Sequence, residues 1–262
     1  MTTMSILRDQ APLRNILPSR VAAPVSILRK GKNSLLENLP QDVWERLSPH
    51  LEMVELEKGT VLFEAGTTLK HVYFPISAII SLLHIMESGA SAQTAMVGHE
   101  GIVGVSFFMS GEPTSNHAMV LSSGCALRLK VSVLDQEFNN GGCFAKVLLR
   151  YTQSLLNQMA QTAVCNRHHS LEQQLCRLIL MCMDRLPTSQ IMITHETISN
   201  LLGVRREGVT QAAGKLQRMG LISCTRGCVT VLDRDGMEDH VCECYEDIRE
   251  KNVNPARSAA YC

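Results

Sequence analysis

Aromatic residues are scarce in this 262-residue chain, at 4% with a single tryptophan, Trp44. That speaks against the stacked aromatic platform on which single-stranded nucleic acids are held. Neither charge is in excess: 25 Lys and Arg meet 25 Asp and Glu, for a formal net charge of zero. As a whole-chain number, neutrality argues against a basic nucleic-acid binder. No apolar run approaches the roughly 18 to 20 residues that cross a bilayer. The charged start, apolar stretch and small-residue cleavage site of a secretory signal are missing, so the ten cysteines are expected as reduced thiols in a cytoplasmic protein. Paired carboxylates, a nucleophile elbow and a phosphate loop are absent too, which leaves nothing to support an enzyme. What is present is 45% hydrophobic residues, enough to bury a core in one large domain or two ordinary ones.

The neutral total is a cancellation of blocks. Residues 1–32 carry a net charge of +5, 33–169 of −4, 170–232 of +3 and 233–262 of −4. The first block, broken by Pro12, Pro18 and Pro24, reads as a flexible basic leader. Residues 33–141 open on a helical pattern, Leu39, Val43, Leu47 and Leu51 at steps of four. They continue as short Val, Ile, Leu and Thr-rich runs separated by glycines such as Gly59, Gly66, Gly89, Gly104 and Gly111, the pattern of a β-sandwich or barrel. Between Cys143 and Met183 there is neither Gly nor Pro, and Leu148, Thr152, Leu155, Met159, Thr162 and Asn166 fall alternately four and three apart. That spacing predicts a dimerisation helix over 142–169 with these six residues as its seam. The competing reading packs the same helix on its own barrel. Residues 233–262 are acidic and contain a pattern for one amphipathic helix from Asp235 to Lys251.

Within residues 170–232, Thr194 to Gly220 reads as two short helices around a tight turn. Thr194 suits an N-cap for HETISNLL, and Gly203 stands where that helix must end. The second helix turns Val209, Ala212, Ala213 and Leu216 inward and leaves Arg206, Glu207, Thr210 and Gln211 outward near its start, a face that fits a major groove. Arg forks onto guanine O6 and N7 and Glu accepts from cytosine N4, so these four are the candidate base readers. Thr194, His195, Thr197, Arg205 and Lys215 are placed as phosphate anchors, which set register without reading sequence. A surface hairpin without a ligand would carry similar charge.

The stretch ITHETISNLLGVRREGVTQAAGKLQRMGLI resembles the helix-turn-helix of the Crp/Fnr transcription regulators. Ile193, Thr194, Ile198, Gly203, Arg206, Glu207, Val209, Leu216, Gly220, Leu221 and Ile222 occupy its signature places. The order of glycine-punctuated strands and long helix before it agrees, so the resemblance covers about residues 35 to 232. It implies an α+β fold: an N-terminal β-roll like the cyclic-nucleotide-binding jelly roll, a long dimerisation helix and a C-terminal winged helix-turn-helix. It also implies a homodimer on an inverted repeat in double-stranded DNA, with RNA polymerase as a further partner. The chain departs from the pattern at Gly208, where Thr or Ser is common, and at Gln211, where Arg is common and which suits adenine better.

The sensory half departs further. Members that bind cyclic nucleotides carry a glycine turn followed by Glu, then an Arg-Ser or Arg-Thr pair about ten residues on. The best register sets Gly104 and Val105 on the first and Asn116 and His117 on the second, which removes both the carboxylate and the guanidinium. Cyclic AMP or GMP is therefore not expected to bind in the usual way, and no small-molecule effector is assigned. The oxygen-sensing branch uses an N-terminal cysteine cluster, whereas the first cysteine here is Cys125. His71, His84, His99 and His117 are lone histidines and do not indicate haem. Cys224, Cys228, His240, Cys242 and Cys244 offer metal-ligating chemistry, but C-x-C on one helix points its side chains about 200° apart. Buried apolar cysteines are expected instead, with no metal and no cofactor. The alternatives are a redox- or metal-responsive regulator that uses its cysteines, or a ligand-binding or interaction module that does not touch DNA.

Overall fold

The structure is a computed structural model that describes residues 33–253, so the leader assigned to 1–32 and the last residues of the tail lie outside it. The described chain divides into two compact units. The first comprises residues 33–82 and 97–156, the second Leu83–Met96 and Asn157–Lys251.

The first unit begins with α1 (Ser34–Glu37) and α2 (Gln41–Leu47). The four-residue periodicity of the opening has its physical reason here, because Leu39, Val43, Leu47 and Leu51 are all buried. Strands follow as β1 (Glu52–Leu56), β2 (Val61–Phe63), β3 (His71–Pro75), β4 (Ile79–Ile85) and β5 (Ser91–Val97), of which Leu83–Met96 are counted with the second unit. After the short helix α3 (Val105–Ser110) come β6 (His117–Ser122), β7 (Gly124–Lys130) and α4 (Val131–Asn139). They form a three-stranded sheet ordered β1-β7-β3 and a four-stranded sheet ordered β2-β6-β4-β5. In the first, Met53 pairs with Leu127 and Phe74 with Leu127, so one antiparallel register runs across β7. Phe74, Ile79, Ile80, Leu121, Leu129 and Leu134 are fully buried and fill the roll. Asn33 seals its edge: Nδ2 donates to the carbonyls of Pro75 at 2.9 Å and Gly101 at 2.8 Å while Oδ1 caps α1.

The uninterrupted stretch after Gly142 is one 27-residue helix, α5 (Gly142–His168). Beyond it, α6 (Leu171–Met183) starts with a capping box in which Ser170 and Gln173 satisfy each other's backbone N–H groups. It buries every residue from Gln174 to Met183, which makes it the central helix of the second unit. Around it stand β8 (Gln190–Met192), α7 (His195–Leu202), α8 (Arg206–Arg218), β9 (Ile222–Thr225) and β10 (Cys228–Val231). The wing is a three-stranded sheet in the order β8-β10-β9, with Val229 opposite both Ile191 and Cys224.

The C-terminal segment departs from the expected single helix. It forms α9 (Arg234–His240) and α10 (Cys244–Val253), because Val241 is extended and breaks the helix between them. Cys242 therefore lies in a connection, and the 200° separation of a helical C-x-C does not apply to Cys242 and Cys244.

Candidate nucleic-acid interface and ligand site

The sequence fixes α7 at both ends. The Thr194 hydroxyl accepts from the Thr197 amide at 3.0 Å, and Gly203 closes the helix in the left-handed region at φ 68°. Ile198, Leu201 and Leu202 of α7 are buried, as are Val209, Ala212, Ala213 and Leu216 of α8. The opposite face of α8 is in solvent: Arg205, Arg206, Glu207, Thr210, Gln211 and Lys215 are all exposed. The four candidate base readers thus share one surface at the N-terminal half of an amphipathic helix.

Two of the assigned residues are already engaged. Thr210 donates its hydroxyl proton to the Arg206 carbonyl at 3.1 Å and lies 3.1 Å from His195 Nδ1. With its one proton committed, Thr210 can only accept from a base edge. Lys215 pairs with Glu172 of α6, and this ammonium holds the Glu172 carboxyl below its ordinary range. The remaining anchors, Thr194, His195 and Thr197, cluster at the start of α7, where the Thr194 and Thr197 hydroxyls are 2.9 Å apart. Arg226 is exposed at the tip of the β9–β10 turn with φ 42°.

Gly208 acquires a structural reason. A Cβ there would sit 3.0 Å from Leu171 Cδ2, so the residue that departs from the family pattern lies where α8 packs against the start of α6.

In the β-roll, Gly104 adopts φ 115° and a Cβ would lie 2.8 Å from Val72 Cγ1, a position suited to glycine alone. Val105 opens the six-residue α3 directly after it. The Asn116 amide is taken by Thr114 Oγ1 at 3.2 Å, and Nδ1 of His117 is buried without a hydrogen-bond partner. Gly104, Val105, Asn116 and His117 therefore bring no carboxylate and no guanidinium to this part of the roll.

The predicted seam of α5 requires correction. Leu148, Thr152, Leu155 and Thr162 are buried within the single chain, with Leu148 at 0% exposure, so they cannot also meet a second copy. Met159 is half-buried and Asn166 exposed. The large apolar residues that α5 offers to solvent are Leu149, Leu156 and Val164, each about half exposed at 51%, 50% and 51%.

Comparison with known proteins agrees with this architecture. The family model of the cyclic nucleotide-binding domain matches residues 53–140, and that of the Crp-like helix-turn-helix domain matches residues 173–240. A global nitrogen regulator of Synechococcus elongatus is 21% identical over 192 residues, covering 70% of this chain and 86% of its own. An anaerobic regulatory protein of Haemophilus influenzae is 23% identical over 189 residues, covering 70% and 73%. Among solved structures, a Crp/Fnr-family regulator from Eubacterium rectale superposes with a TM-score of 0.64 at 18% identity, covering 78% of this chain and 96% of that one. FixK2 from Bradyrhizobium japonicum gives a TM-score of 0.61 at 15% identity, covering 73% and 98%. Among the described residues no helix is long and apolar enough to cross a membrane. With a β-roll matched by one family model, a winged helix-turn-helix matched by the other and a long helix joining them in the family's order, this chain belongs to the Crp/Fnr family of transcription regulators.

Proposed function

We propose that the chain works as a homodimer that reads an inverted repeat, with Arg206, Glu207, Thr210 and Gln211 of each copy against the base edges of one half-site. The observation that carries this is the division of α8: its apolar residues are buried while those four stand together on the exposed side. Arg205, Thr194, His195, Thr197 and Lys215 flank that face and serve as phosphate anchors. The two copies meet through the exposed side of α5, where Leu149, Leu156 and Ala163 recur every seven residues and Val164 adjoins them. RNA polymerase is the partner through which a bound dimer acts on transcription.

The β-roll in this reading does not take its signal from a cyclic nucleotide in the usual way. The residues at the corresponding places are Val105, Asn116 and His117, and none supplies the charge-assisted bonds that hold a cyclic phosphate.

Selection from a randomised duplex pool tests the first statement. Enrichment of a palindrome, weakened by Glu207→Ala, supports it; no enrichment at low salt, or a Glu207→Ala protein that selects like the parent, overturns it. Calorimetry with cyclic AMP tests the second, since tight binding that is lost on Asn116 or His117 substitution would overturn it.

A further inference from the structure

Four side chains that the DNA-reading function does not use converge at the C-terminal end of α5. Cys165 lies in its last turn, and His169 follows four residues later, with the amide of His169 bonded to the Cys165 carbonyl at 3.0 Å. Both side chains therefore project from one side of that turn. Cys242 and Cys244 arrive from the break between α9 and α10. The Cys165 and Cys242 sulfurs are 3.6 Å apart, the Cys244 sulfur is 3.4 Å from His169 Nδ1, and all four ligand atoms lie within 4.8 Å of one another. The three cysteines are buried and His169 is half-buried.

These separations match a definite coordination geometry. With Zn–S of about 2.3 Å and Zn–N of about 2.0 to 2.1 Å, the edges of a tetrahedron are about 3.8 Å between two sulfurs and about 3.5 Å between sulfur and nitrogen. They are far longer than a disulfide bond of about 2.0 Å. They also enclose room for a single ion, whereas a polynuclear iron–sulfur cluster would hold its ligands further apart.

The surroundings are those of a ligand set. Glu243 Oε1 lies 3.3 Å from His169 Nε2, which leaves Nδ1 turned toward the sulfurs. A carboxylate behind the distal nitrogen is what orients a metal-binding imidazole and raises its basicity. Gln161 Nε2 donates to the Cys244 sulfur at 3.1 Å, a bond that favours a thiolate over a thiol. The buried Arg177 guanidinium stands close enough to act on Cys165. Packing of buried cysteines as small apolar groups would call for none of these polar neighbours.

We propose that Cys165, His169, Cys242 and Cys244 form a tetrahedral zinc site that fastens the α9–α10 connection to the end of α5. Loading exchanges three thiol protons for one Zn²⁺, so the site carries three thiolates and a neutral imidazole, with Arg177 as a nearby compensating charge. Soft thiolate ligands with one imidazole favour zinc over magnesium or calcium. The site lies within one compact unit and does not depend on which bases α8 reads.

The test uses the full-length protein purified without chelator. Mass spectrometry of the metal content should give one zinc per chain, and replacement by Co²⁺ should give the visible absorption and sulfur-to-metal charge transfer of a tetrahedral thiolate site. Cys242→Ser should abolish both. Because that variant risks misfolding, Glu243→Ala provides a second reading: its carboxylate is exposed, so circular dichroism should be unchanged while zinc affinity falls by about 10 to 100-fold. Four results would overturn the proposal: no zinc together with no cobalt spectrum, iron with acid-labile sulfide, a Cys165–Cys242 disulfide in the protein as isolated, or undiminished zinc binding by Cys242→Ser.

Discussion

The Tyr245 hydroxyl stands 3.0 Å from both carboxylate oxygens of Asp184, and Arg234 closes the arrangement with Nη2 at 2.5 Å from Asp184 Oδ1 and 3.0 Å from the Tyr245 oxygen. One carboxylate at the C-terminal end of α6 thus holds α9 through Arg234 and α10 through Tyr245. The described part of the acidic segment up to Lys251 is thereby packed into the folded second unit.

Burial, and after it the Asp184 carboxylate, push the Tyr245 hydroxyl up to about 12 from an ordinary 10. A native value above the unfolded one means that the protonated donor is stabilised by folding. That contribution is complete below about pH 10 and is lost as pH rises toward 12. At neutral pH, Tyr245→Phe should unfold at lower urea, with a loss of about 1 to 3 kcal/mol. At pH 11 the gap between parent and variant should narrow; a gap independent of pH would refute this account.

At Gly208 two small effects oppose each other. Alanine in a helix interior gains about 0.5 to 1 kcal/mol over glycine, whereas its Cβ would press Leu171 Cδ2 at 3.0 Å. That methyl is the free end of a half-buried side chain at a helix start, so it can turn aside. Gly208→Ala is expected to raise the midpoint of thermal unfolding by a degree or so, and a clear decrease would show that Leu171 is held fast.

Base reading and phosphate anchoring leave different signatures. Arg206→Ala should cost about 1 to 3 kcal/mol on the preferred site and relax the sequence at one position only. Lys215→Ala should weaken all duplexes alike and reduce the salt slope by about one. Since Lys215 also pairs with Glu172 at an exposed position, its removal should change stability by less than about 1 kcal/mol. A Lys215→Ala protein that altered sequence preference would move Lys215 among the base readers.

Adjacent residues of α5 make opposite predictions. Leu156→Lys changes an exposed side chain and should give a folded monomer by sedimentation, with little change in unfolding midpoint. Leu155→Lys places a charge at a buried position and should cost more than about 3 kcal/mol. If Leu156→Lys remained dimeric, the exposed side of α5 would not be the meeting surface.

That neighbouring pair also explains what could be read from the sequence and what could not. Gly141 and Gly142 followed by an unbroken stretch located the start of the long helix, because breakers act locally, whereas no Gly or Pro marks its end at His168. Thr194, Gly203 and the buried spacing of α8 placed the DNA-reading helices for the same reason. The side of α5 was not legible, since Leu148 with Leu155 and Leu149 with Leu156 both repeat every seven residues. Which pair is covered depends on the rest of the fold. The cysteine cluster was less legible still: Cys165 and Cys242 are 77 positions apart, and the helix that seemed to separate Cys242 from Cys244 is interrupted at Val241.

The contact between Thr210 and His195 joins the starts of α7 and α8 and decides which ring nitrogen of His195 faces outward. Because the Thr210 proton goes to the Arg206 carbonyl, Thr210 accepts from His195, which assigns the ring hydrogen of the neutral tautomer to Nδ1. Nε2 then presents a lone pair, and a phosphate placed against it would be repelled. The ring thus ties the start of α7 to α8, and a phosphate beside His195 would be met by the backbone N–H groups of the first turn of α7 instead.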